Sequence, residues 1–421
     1  MKFLILLFLI FLSSCSTISV NKSETYDPIY ASHYFDLAQE EFKSGNFNET
    51  IKLCDFALKN LLLAERENLK TEELNYYDRL TDTICRLRLR ACKKLYQKKE
   101  NKNSVFPLEY HERVGKWLAY YTGNGKKYLE KWLERSKYYY EMMKEILKKY
   151  NMPEELACVP IVESGSHPFA VSPKRAVGLW QFILPTGKRY GLERNHWYDE
   201  RRDPEKSTIA ACKMLKNLYN EFGDWLLALA AYNCGTYRVR KAIKTQKTKN
   251  FWDLYLPRET ENYVAKIIAV AMIMDDPLAF GFDNEKGENI RYDVVQVYGP
   301  VDLKLVSNLI DVNLKELLFL NPELTRQCTP PDVIPYPLKI PQGKSAEFVK
   351  KFSKLPARKK YLSKKQLQAR KHNVIIYRVR RGDNLWKIAK KYRVSVRKLK
   401  KWNRIARADR IYPGQKLKIY R

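Results

Sequence analysis

Apolar residues recur at helical spacing through most of this 421-residue chain, and this periodicity limits the possible folds more than any other feature. Helix-like patterns cover residues 31–98 and, with short breaks, residues 110–274. Patterns typical of strands become recognisable only after Asp275. With 45% hydrophobic residues, the chain has ample material for two to four domains with their own cores. The sequence therefore predicts a mainly α-helical protein with small strand-containing modules towards the C-terminus.

The first residues have the composition of an export signal. Lys2 is followed by an unbroken apolar run over residues 3–12. This run is shorter than the roughly 20 apolar residues that span a bilayer, and it has the length of a signal-peptide core. We therefore predict a signal peptide over residues 1–14.

The stretch LSSC, which ends at Cys15, resembles the lipobox of bacterial lipoproteins, in which the cysteine is acylated. The resemblance implies lipidation of Cys15 and a polar tether over residues 15–30, and several acyl chains would bind a lipid membrane firmly. Ser16, where sorting signals of retained lipoproteins have Asp, favours the outer membrane, with the protein facing the periplasm. The alternative is an ordinary secretory signal followed by a chance cysteine.

Positive charge is concentrated at the C-terminal end. The net charge is +31, and residues 339–421 contain 29 lysines and arginines against three acids. Such a segment is typical of proteins that bind polyanions or anionic surfaces. Since an exported protein does not ordinarily meet nucleic acid, we predict no nucleic-acid partner. Anionic envelope polymers and lipid head groups are the candidate partners for this charge.

The cysteines and histidines do not form a metal-binding or disulfide pattern. Seven cysteines remain besides Cys15, which is an odd number, and Cys85 and Cys92 lie too far apart along a helix to be joined. The sequence has no Cys-x-x-Cys pair and no HExxH motif. We therefore predict no metal site, no disulfide framework and no cofactor, and we expect most cysteines to be small buried residues.

Residues 31–105 are predicted to form a helical hairpin region. Apolar residues three and four positions apart lie on both sides of a Ser-Gly-Asn turn. The pattern resembles one tetratricopeptide-type unit, and a single unit cannot form a solenoid. We interpret the region as a packing accessory, and a partner-binding surface is the alternative.

Glu163 is a carboxyl in an otherwise apolar stretch, ELACVPIVESG. Pro153 is expected in the first turn of the helix that carries it, and Gly165 is expected just beyond the helix end. Among apolar neighbours the carboxyl would be partly desolvated, which raises its pKa and keeps it protonated near neutral pH. A general acid requires this property. A solvated surface glutamate is the alternative at such a position.

Four short motifs follow one another over about a hundred residues: Glu163-Ser164, GLWQ ending at Gln181, AYNCG ending at Gly235, and ENY ending at Tyr263. Together they resemble the lysozyme-like domain of soluble-lytic-transglycosylase-type murein enzymes. The phrases DERRDPEKSTIAAC and FGDWLLALAAYN also match the membrane-bound subfamily. The resemblance covers roughly residues 108–274, and we assign residues 106–275 to a lysozyme-like helical catalytic domain.

This resemblance implies an activity. One glutamate, Glu163, would protonate the glycosidic oxygen and then act as base, giving 1,6-anhydro ends without water. A second acid is not evident in a short motif around it, although glycosidases usually use two. Further residues would line the glycan cleft by the same resemblance, namely Ser172, Gln181, Tyr232, Asn233 and Tyr263. The alternative for the tyrosines is half-buried packing with satisfied hydroxyls.

Residues 374–421 resemble a LysM domain, a βααβ module that binds glycans containing N-acetylglucosamine. The resemblance places Gly382, Asp383, Asn384 and Ile405 beside the sugar groove, and Asp383 would also cap the following helix. Residues 292–341 are similar to a degenerate second copy. Residues 342–373 read as a basic linker with helical propensity and no clear core face.

These features together predict a lipid-anchored peptidoglycan lytic transglycosylase of the cell envelope. Peptidoglycan glycan strands would be its substrate, and the LysM modules and basic tail would hold it on the wall. Two alternatives remain open from the sequence: a lysozyme-like murein hydrolase with water as acceptor, and a non-catalytic peptidoglycan-binding protein.

Overall fold

The computed structural model describes residues 28–63, 71–99, 106–283, 290–371, 374–392, 394–406 and 411–420. It divides into two compact units, one within residues 1–102 together with 276–282, the other within residues 103–275 and 283–421. Helices dominate both, so the predicted mainly α-helical class is confirmed. The predicted signal peptide, Cys15 and most of the tether lie outside the described residues.

The first unit contains the predicted hairpin and a third helix. Helices α1 (Pro28–Lys43) and α2 (Phe47–Leu63) are antiparallel neighbours, and α3 (Thr71–Lys99) packs along α2. Gly45 in the first turn has a φ of 78°, a left-handed conformation that glycine adopts without strain. Small buried residues allow close approach of the helices: Ala31, Ala38, Cys54 and Ala57.

A buried ion pair fixes the pairing of α2 with α3. Arg88 of α3 is 2% exposed and donates to the Asp55 carboxylate of α2 at 2.7 Å. Its guanidinium lies 5.8 Å from the ring centre of Phe280, which belongs to a later segment of the same unit. Since a buried charge is costly without a partner, this contact disfavours any other register. The return of the chain to this unit at residues 276–282 was not predicted.

The second unit begins with the helices of the candidate catalytic region. Helix α10 (Trp225–Cys234) lies at its centre, because residues 225–231 are all buried and it packs against its sequence neighbours and against α12 (Arg258–Asp275). The helices are α4 (Glu112–Thr122), α5 (Lys126–Ser136), α6 (Tyr140–Lys149), α7 (Val159–Ser164), α8 (Leu184–Arg189), α9 (Pro204–Phe222), α10 (Trp225–Cys234), α11 (Thr236–Gln246) and α12 (Arg258–Asp275).

Two βααβ modules follow in the same unit, joined by short helices. In each, the first strand pairs antiparallel with the last, so Tyr292 lies opposite Pro341 and Val374 opposite Tyr420. The elements are β1 (Tyr292–Val297), α13 (Leu303–Leu309), α14 (Leu314–Leu320), β2 (Tyr336–Pro341), α15 (Ser345–Ser353), α16 (Ala357–Lys360), α17 (Lys364–Lys371), β3 (Val374–Arg378), α18 (Leu385–Tyr392), α19 (Val396–Asn403) and β4 (Lys416–Tyr420).

An asparagine clamp occurs in both modules at the end of the second helix. Asn321 donates to the Lys339 carbonyl at 2.7 Å and accepts from the Lys339 amide at 3.0 Å. Asn403 makes the same two hydrogen bonds with Lys418, at 2.8 and 2.6 Å. Each asparagine therefore ties its helix to the last strand. This shared detail supports the interpretation of residues 292–341 as a second copy of the module.

The segment after β2 differs from the prediction. Phe348 of α15 is 2% exposed and belongs to the core of the first module, with Phe352 stacked on it at 4.9 Å. Tyr361 covers Gly299 of the same module. The prediction that residues 342–373 have no core face is therefore wrong, because aromatic residues spaced along this basic segment bury themselves against the module.

None of the helices within the described ranges combines the length and apolar character needed to cross a bilayer.

Most of the cysteines in the described part of the chain are buried, as predicted: Cys54, Cys92, Cys158, Cys212 and Cys328. Burial raises the pKa of each thiol, to about 11 for Cys92 and Cys328 and to about 12 for the other three.

Candidate active site

Glu163 lies in the last turn of α7, where the sequence predicts it. Gly165 follows with a φ of 57° and ends the helix in the left-handed conformation. The beginning of the helix differs from the prediction, because Pro153 precedes a 3₁₀ helix, Glu154–Cys158, and Pro160 occupies the first turn of α7. Because α7 is short and ends at Gly165, the Glu163 carboxyl lies close to the point where the chain leaves the helix.

The Glu163 carboxyl is held in a partly buried position against α12. Tyr263, which is 6% exposed, donates its hydroxyl to Oε1 at 2.7 Å. Burial raises the pKa of Glu163 to about 7, the Tyr263 hydrogen bond opposes this shift, and the charge of Glu259 adds to it. A carboxyl with this pKa is partly protonated at neutral pH, which is the property that a general acid requires.

Tyr232 of α10 is the second tyrosine beside Glu163. Burial is the main cause that raises the pKa of Tyr232, and the charge of Glu163 is the second cause. The two groups are therefore close enough to interact. The Tyr232 hydroxyl donates to the Trp180 carbonyl at 2.7 Å. Trp180 is fully buried and donates its indole N–H to Thr208 at 2.9 Å. This chain of contacts ties α10 and α9 to the loop of residues 172–182, which we call the cleft loop.

Ser164 fastens α7 to the cleft loop. Its hydroxyl is within hydrogen-bond distance of the Leu179 carbonyl, at 2.9 Å, and of the Pro160 carbonyl, at 3.1 Å. The same oxygen accepts from the His167 amide at 3.2 Å. The residue next to Glu163 therefore fixes the helix end on the loop. This role of Ser164 was not predicted from the Glu163-Ser164 motif.

Gly178 permits a close contact at the base of the cleft loop. Its φ is 86°, and a Cβ there would lie 1.8 Å from the carbonyl oxygen of Arg201. Arg201 is 2% exposed and donates to the Phe182 carbonyl at 3.0 Å and the Arg175 carbonyl at 3.2 Å. Asp199 neutralises it through two hydrogen bonds, at 2.9 and 2.7 Å. Asp199 and Arg201 therefore form a buried support for the cleft loop, a role that short motifs did not reveal.

The other predicted cleft residues bond to their own surroundings rather than to Glu163. Gln181 has a φ of 48° and donates to the Gly178 carbonyl at 2.8 Å. The Ser172 hydroxyl accepts from the Ala176 amide at 3.0 Å, within the same loop. Asn233 accepts from Thr260 at 2.8 Å and so joins α10 to α12. Of the five predicted residues, Tyr263 hydrogen-bonds to Glu163, and Tyr232 is close enough to interact with its charge. Gln181 and Ser172 bond within the cleft loop, and Asn233 joins α10 to α12.

The rim of the site carries opposite charges on its two sides. Lys174 of the cleft loop lies 4.0 Å from Glu259 of α12, and both side chains are largely exposed. Glu259 is also the carboxylate whose charge acts on Glu163. No group of three or more His, Cys, Asp or Glu side chains in the described ranges is arranged to hold a metal ion.

The predicted glycan-binding residues of the C-terminal module lie on two loops. Gly382 has a φ of 86° in the turn before α18, and Ile405 packs partly against the module core. The prediction that Asp383 caps the helix is wrong by one residue. Asn384 accepts from the Lys387 amide at 2.7 Å, whereas Asp383 accepts from the Tyr377 hydroxyl at 2.7 Å and fastens the turn to β3.

Three protein families match this chain. The Transglycosylase SLT domain matches residues 141–255, which include Glu163 and the cleft loop. The LysM domain matches residues 377–419. The family described as Lytic transglycosylase MltD, LysM-like domain matches residues 291–357, a range that continues past β2 and includes all of α15. The resemblance to these modules is thus confirmed.

Individual proteins are similar to parts of this chain or to most of it. Membrane-bound lytic murein transglycosylase F of Maricaulis maris (strain MCS10) is 35% identical over 112 residues, 24% of this chain and 23% of the relative. Uncharacterized protein YkzQ of Bacillus subtilis (strain 168) is 48% identical over 44 residues, 10% of this chain and 57% of the relative. Membrane-bound lytic murein transglycosylase D of Escherichia coli (strain K12) is 35% identical over 323 residues, 73% of this chain and 69% of the relative. The chain belongs to the family of membrane-bound lytic murein transglycosylase D.

Proposed function

We propose that this lytic transglycosylase cleaves the β-1,4 bond between N-acetylmuramic acid and N-acetylglucosamine with Glu163 as its single acid and base. The protonated carboxyl donates to the glycosidic oxygen as that bond breaks. The resulting carboxylate then takes the proton from the 6-hydroxyl of the same muramic sugar, whose oxygen bonds to C1. The product is a 1,6-anhydro end, Glu163 is protonated again, and water is not consumed.

The observation that carries this proposal is the setting of Glu163. A carboxyl must be protonated at neutral pH to act first as acid, and burial raises its pKa to about 7. It must then accept a proton, and the Tyr263 hydroxyl at 2.7 Å stabilises the carboxylate that exists between the two steps. One group can therefore serve in both steps.

The test is mass spectrometry of the sugar ends that the full-length protein releases from purified peptidoglycan. Fragments ending in 1,6-anhydro-N-acetylmuramic acid are expected. Ordinary reducing ends would instead identify a hydrolase that uses water. Retention on peptidoglycan with no released fragments would identify a binding protein. Cleavage in 18O-labelled water adds a check, because a transglycosylase product takes up no label.

Tyr263→Phe is expected to move the alkaline limb of the pH–rate profile to higher pH. The Tyr263 hydrogen bond lowers the pKa of Glu163, so its removal raises that pKa and keeps the acid protonated further into the alkaline range. A hydrogen bond to a charged group is worth about 1.5 kcal/mol or more, which corresponds to a shift of about one pH unit. The maximal rate should fall about tenfold, because the carboxylate between the steps loses a donor.

Tyr232→Phe is the matched control, since its hydroxyl donates to the Trp180 carbonyl instead of Glu163. This variant should leave the position of the alkaline limb unchanged, whatever its effect on the rate. The interpretation of Tyr263 is wrong if both variants shift the limb equally.

The membrane association of the relative and the family assignment indicate a protein of the cell envelope. We propose further that Cys15 is acylated and anchors the chain in the outer membrane, as its lipobox-like sequence favours.

Peptidoglycan strands are the substrate, and residues 382–384 with Ile405 are the proposed glycan contacts of the C-terminal module. The neighbouring lysines and arginines would strengthen attachment to anionic envelope polymers.

Attachment of the protein to peptidoglycan is expected to weaken with salt. Residues 339–421 carry 29 basic side chains against three acids, and exposed charges are screened beyond about 10 Å at 0.1 M salt. Co-sedimentation of Glu163→Gln with peptidoglycan should therefore fall at least threefold between 0.05 and about 0.5 M NaCl. The catalytically impaired variant keeps the wall intact during the measurement. Binding that is insensitive to salt would contradict an electrostatic contribution from this segment.

A further inference from the structure

The segment after α8 pairs with the first βααβ module like a short antiparallel strand. The Asp199 amide donates to the Glu323 carbonyl at 2.9 Å, and the Thr325 amide donates to the Trp197 carbonyl at 2.8 Å. Trp197 is 4% exposed and belongs to the hydrophobic core of the module rather than to that of the helices around α10. The module of residues 292–341 is therefore built partly from residues of the catalytic region.

A cluster of two largely buried charges and one partly exposed carboxylate holds the same contact. The Lys339 ammonium of β2 lies 3.4 Å from the Asp203 carboxylate and 3.9 Å from that of Glu205. It also lies 5.2 Å from the ring centre of Tyr292. Asp203 is the N-cap of α9, where it accepts from the backbone amides of the first turn. Lys339 therefore binds the module to the start of a central helix of the catalytic region.

Glu323 adds another carboxylate to this cluster. It is 5% exposed and accepts from the Tyr336 hydroxyl at 2.6 Å, while its second oxygen has no hydrogen-bond partner among the described residues. Burial, followed by the charge of Asp203, raises the pKa of Glu323 to about 7, and Lys339 acts in the opposite direction. Because buried carboxylates are costly without a nearby cation, Lys339 stabilises the whole contact.

This contact continues directly into the cleft loop. Arg201 lies between Asp199, which bonds to the module, and Asp203, which pairs with Lys339. Its carbonyl packs against Gly178, and its guanidinium donates to two carbonyls of the loop. The loop in turn supplies the Trp180 carbonyl to Tyr232 beside Glu163. A continuous set of packed contacts thus joins β2 to the wall of the candidate active site.

The groove of this first module is closed by its own chain. Thr329 donates its amide to the Val301 carbonyl at 3.0 Å and its hydroxyl to the Gly299 carbonyl at 2.7 Å, which joins the two loops that border a LysM groove. The ring of Tyr361 lies 2.7 Å from where a Cβ on Gly299 would sit. The corresponding loop of the C-terminal module contains Gly382, which is exposed and has nothing within 4 Å of that position.

We propose that the module of residues 292–341 is a positioning support for the cleft loop and does not bind glycan in its LysM-type groove, with Lys339 as the positioning residue. Glycan binding outside the catalytic cleft then belongs to the C-terminal module. This inference rests on the proposed function, because the loop it supports is the wall beside Glu163.

The test compares Lys339→Met with wild type in the full-length protein, at a temperature where circular dichroism shows both to be folded. The value of kcat on soluble glycan strands should fall about tenfold, because a displaced wall misplaces Tyr232 and the helix end beside Glu163. The KM should change less than twofold, and the alkaline limb of the pH profile should stay in place. Lys339→Arg should restore at least half of the wild-type kcat.

Lys116→Met is the charge-matched control in the catalytic region, since Lys116 lies on the exposed surface of α4 and pairs with Glu112 at 2.9 Å. It should keep the wild-type kcat. Asn195→Ala provides a milder second variant, in case Lys339→Met fails to fold. It removes an exposed hydrogen bond of 2.9 Å to Asp332 across the same contact. It also removes the two hydrogen bonds that the Asn195 side-chain oxygen accepts from the amides of Trp197 and Tyr198, at 2.7 and 3.1 Å, and it should lower kcat about threefold.

Hydrogen exchange tests the closed groove. On addition of an N-acetylglucosamine tetramer to Glu163→Gln, amides of residues 380–384 and 403–406 should be protected, whereas those of residues 298–303 and 327–330 should not change. Protection at residues 298–303, or a wild-type kcat in both Lys339→Met and Asn195→Ala, would overturn the inference while leaving the proposed function intact. If the wild-type protein releases no fragments from peptidoglycan, both this inference and the proposed function are wrong.

Discussion

Glu163→Gln is expected to abolish the release of peptidoglycan fragments, with a rate about 10³-fold or more below wild type. Glutamine has the shape of the protonated carboxyl and can still accept from Tyr263, but it can neither donate an acidic proton nor take one back. The measurement is the rate of anhydro-sugar release from purified peptidoglycan. Glu154→Gln is the control, because it makes the same change in a surface residue that pairs with Lys144 at 3.1 Å. It should keep the wild-type rate.

The same variant is expected to be more stable than wild type at alkaline pH. The pKa of Glu163 rises from 4.5 to about 7 on folding, so the folded state favours the protonated carboxyl. That stabilisation is fully present below pH 4.5 and is lost as the pH rises through about 7. Glutamine, which does not ionise, keeps it. The difference in unfolding free energy should be near zero at pH 4 and reach at most about 3 kcal/mol at pH 8.

A pH series of melting temperatures for both proteins measures this difference. The variant could lose activity and still have the same stability as wild type at every pH. This result would mean that Glu163 is solvated and that burial does not set its pKa. A loss of stability in the variant would instead indicate a structural role for the carboxylate. Together, the activity and stability results separate a catalytic carboxyl from an ordinary surface glutamate.

Gly178→Ala is expected to disrupt the cleft loop, at a cost of about 3 kcal/mol or more. Two effects add together: an L-residue at a φ of 86° is strained, and the new Cβ would lie 1.8 Å from the Arg201 carbonyl oxygen. Since that oxygen is backbone, it cannot rotate away as a flexible side chain could. Hydrogen exchange over residues 172–182 should rise strongly, and activity should fall at least tenfold because the Trp180 carbonyl moves away from Tyr232.

Gly191→Ala is the matched control for the strain alone. Its φ is 89°, nearly that of Gly178, but a Cβ there would meet nothing within 4 Å. We expect a cost of about 1 kcal/mol and no change in exchange of the cleft loop. Equal effects of the two substitutions would show that the contact between Gly178 and Arg201 is unimportant.

Local sequence patterns were sufficient for the helices and for the position of Glu163. Gly165 marks the helix end, and apolar neighbours indicate a desolvated carboxyl, whereas the βααβ modules were identified through their resemblance to LysM domains. Each of these signals lies within about ten residues of the feature that it predicts, so short-range conformational preferences determine them.

Contacts between distant segments could not be read in the same way. Nothing near Gly178 in the sequence specifies that the Arg201 carbonyl packs against it, and nothing near Trp197 specifies a strand-like pairing with Thr325. The position of the helix cap, at Asn384 rather than Asp383, also depends on the path of the turn. Such features follow from the assembled fold, in which side chains compete for partners that periodicity does not identify.

Because five of its thiols are buried in the folded protein, they are open to oxidation mainly before the chain folds. The thiolate is the reactive form of cysteine, and burial keeps the five buried thiols protonated, with a pKa of about 11 or 12 in each case. Once folded, these side chains are shielded from oxidants and from exchange with disulfides. An unfolded chain has no such shield, since its thiols then have the reactivity of ordinary cysteines. Rapid folding therefore shortens the time during which an oxidant can reach these five thiols.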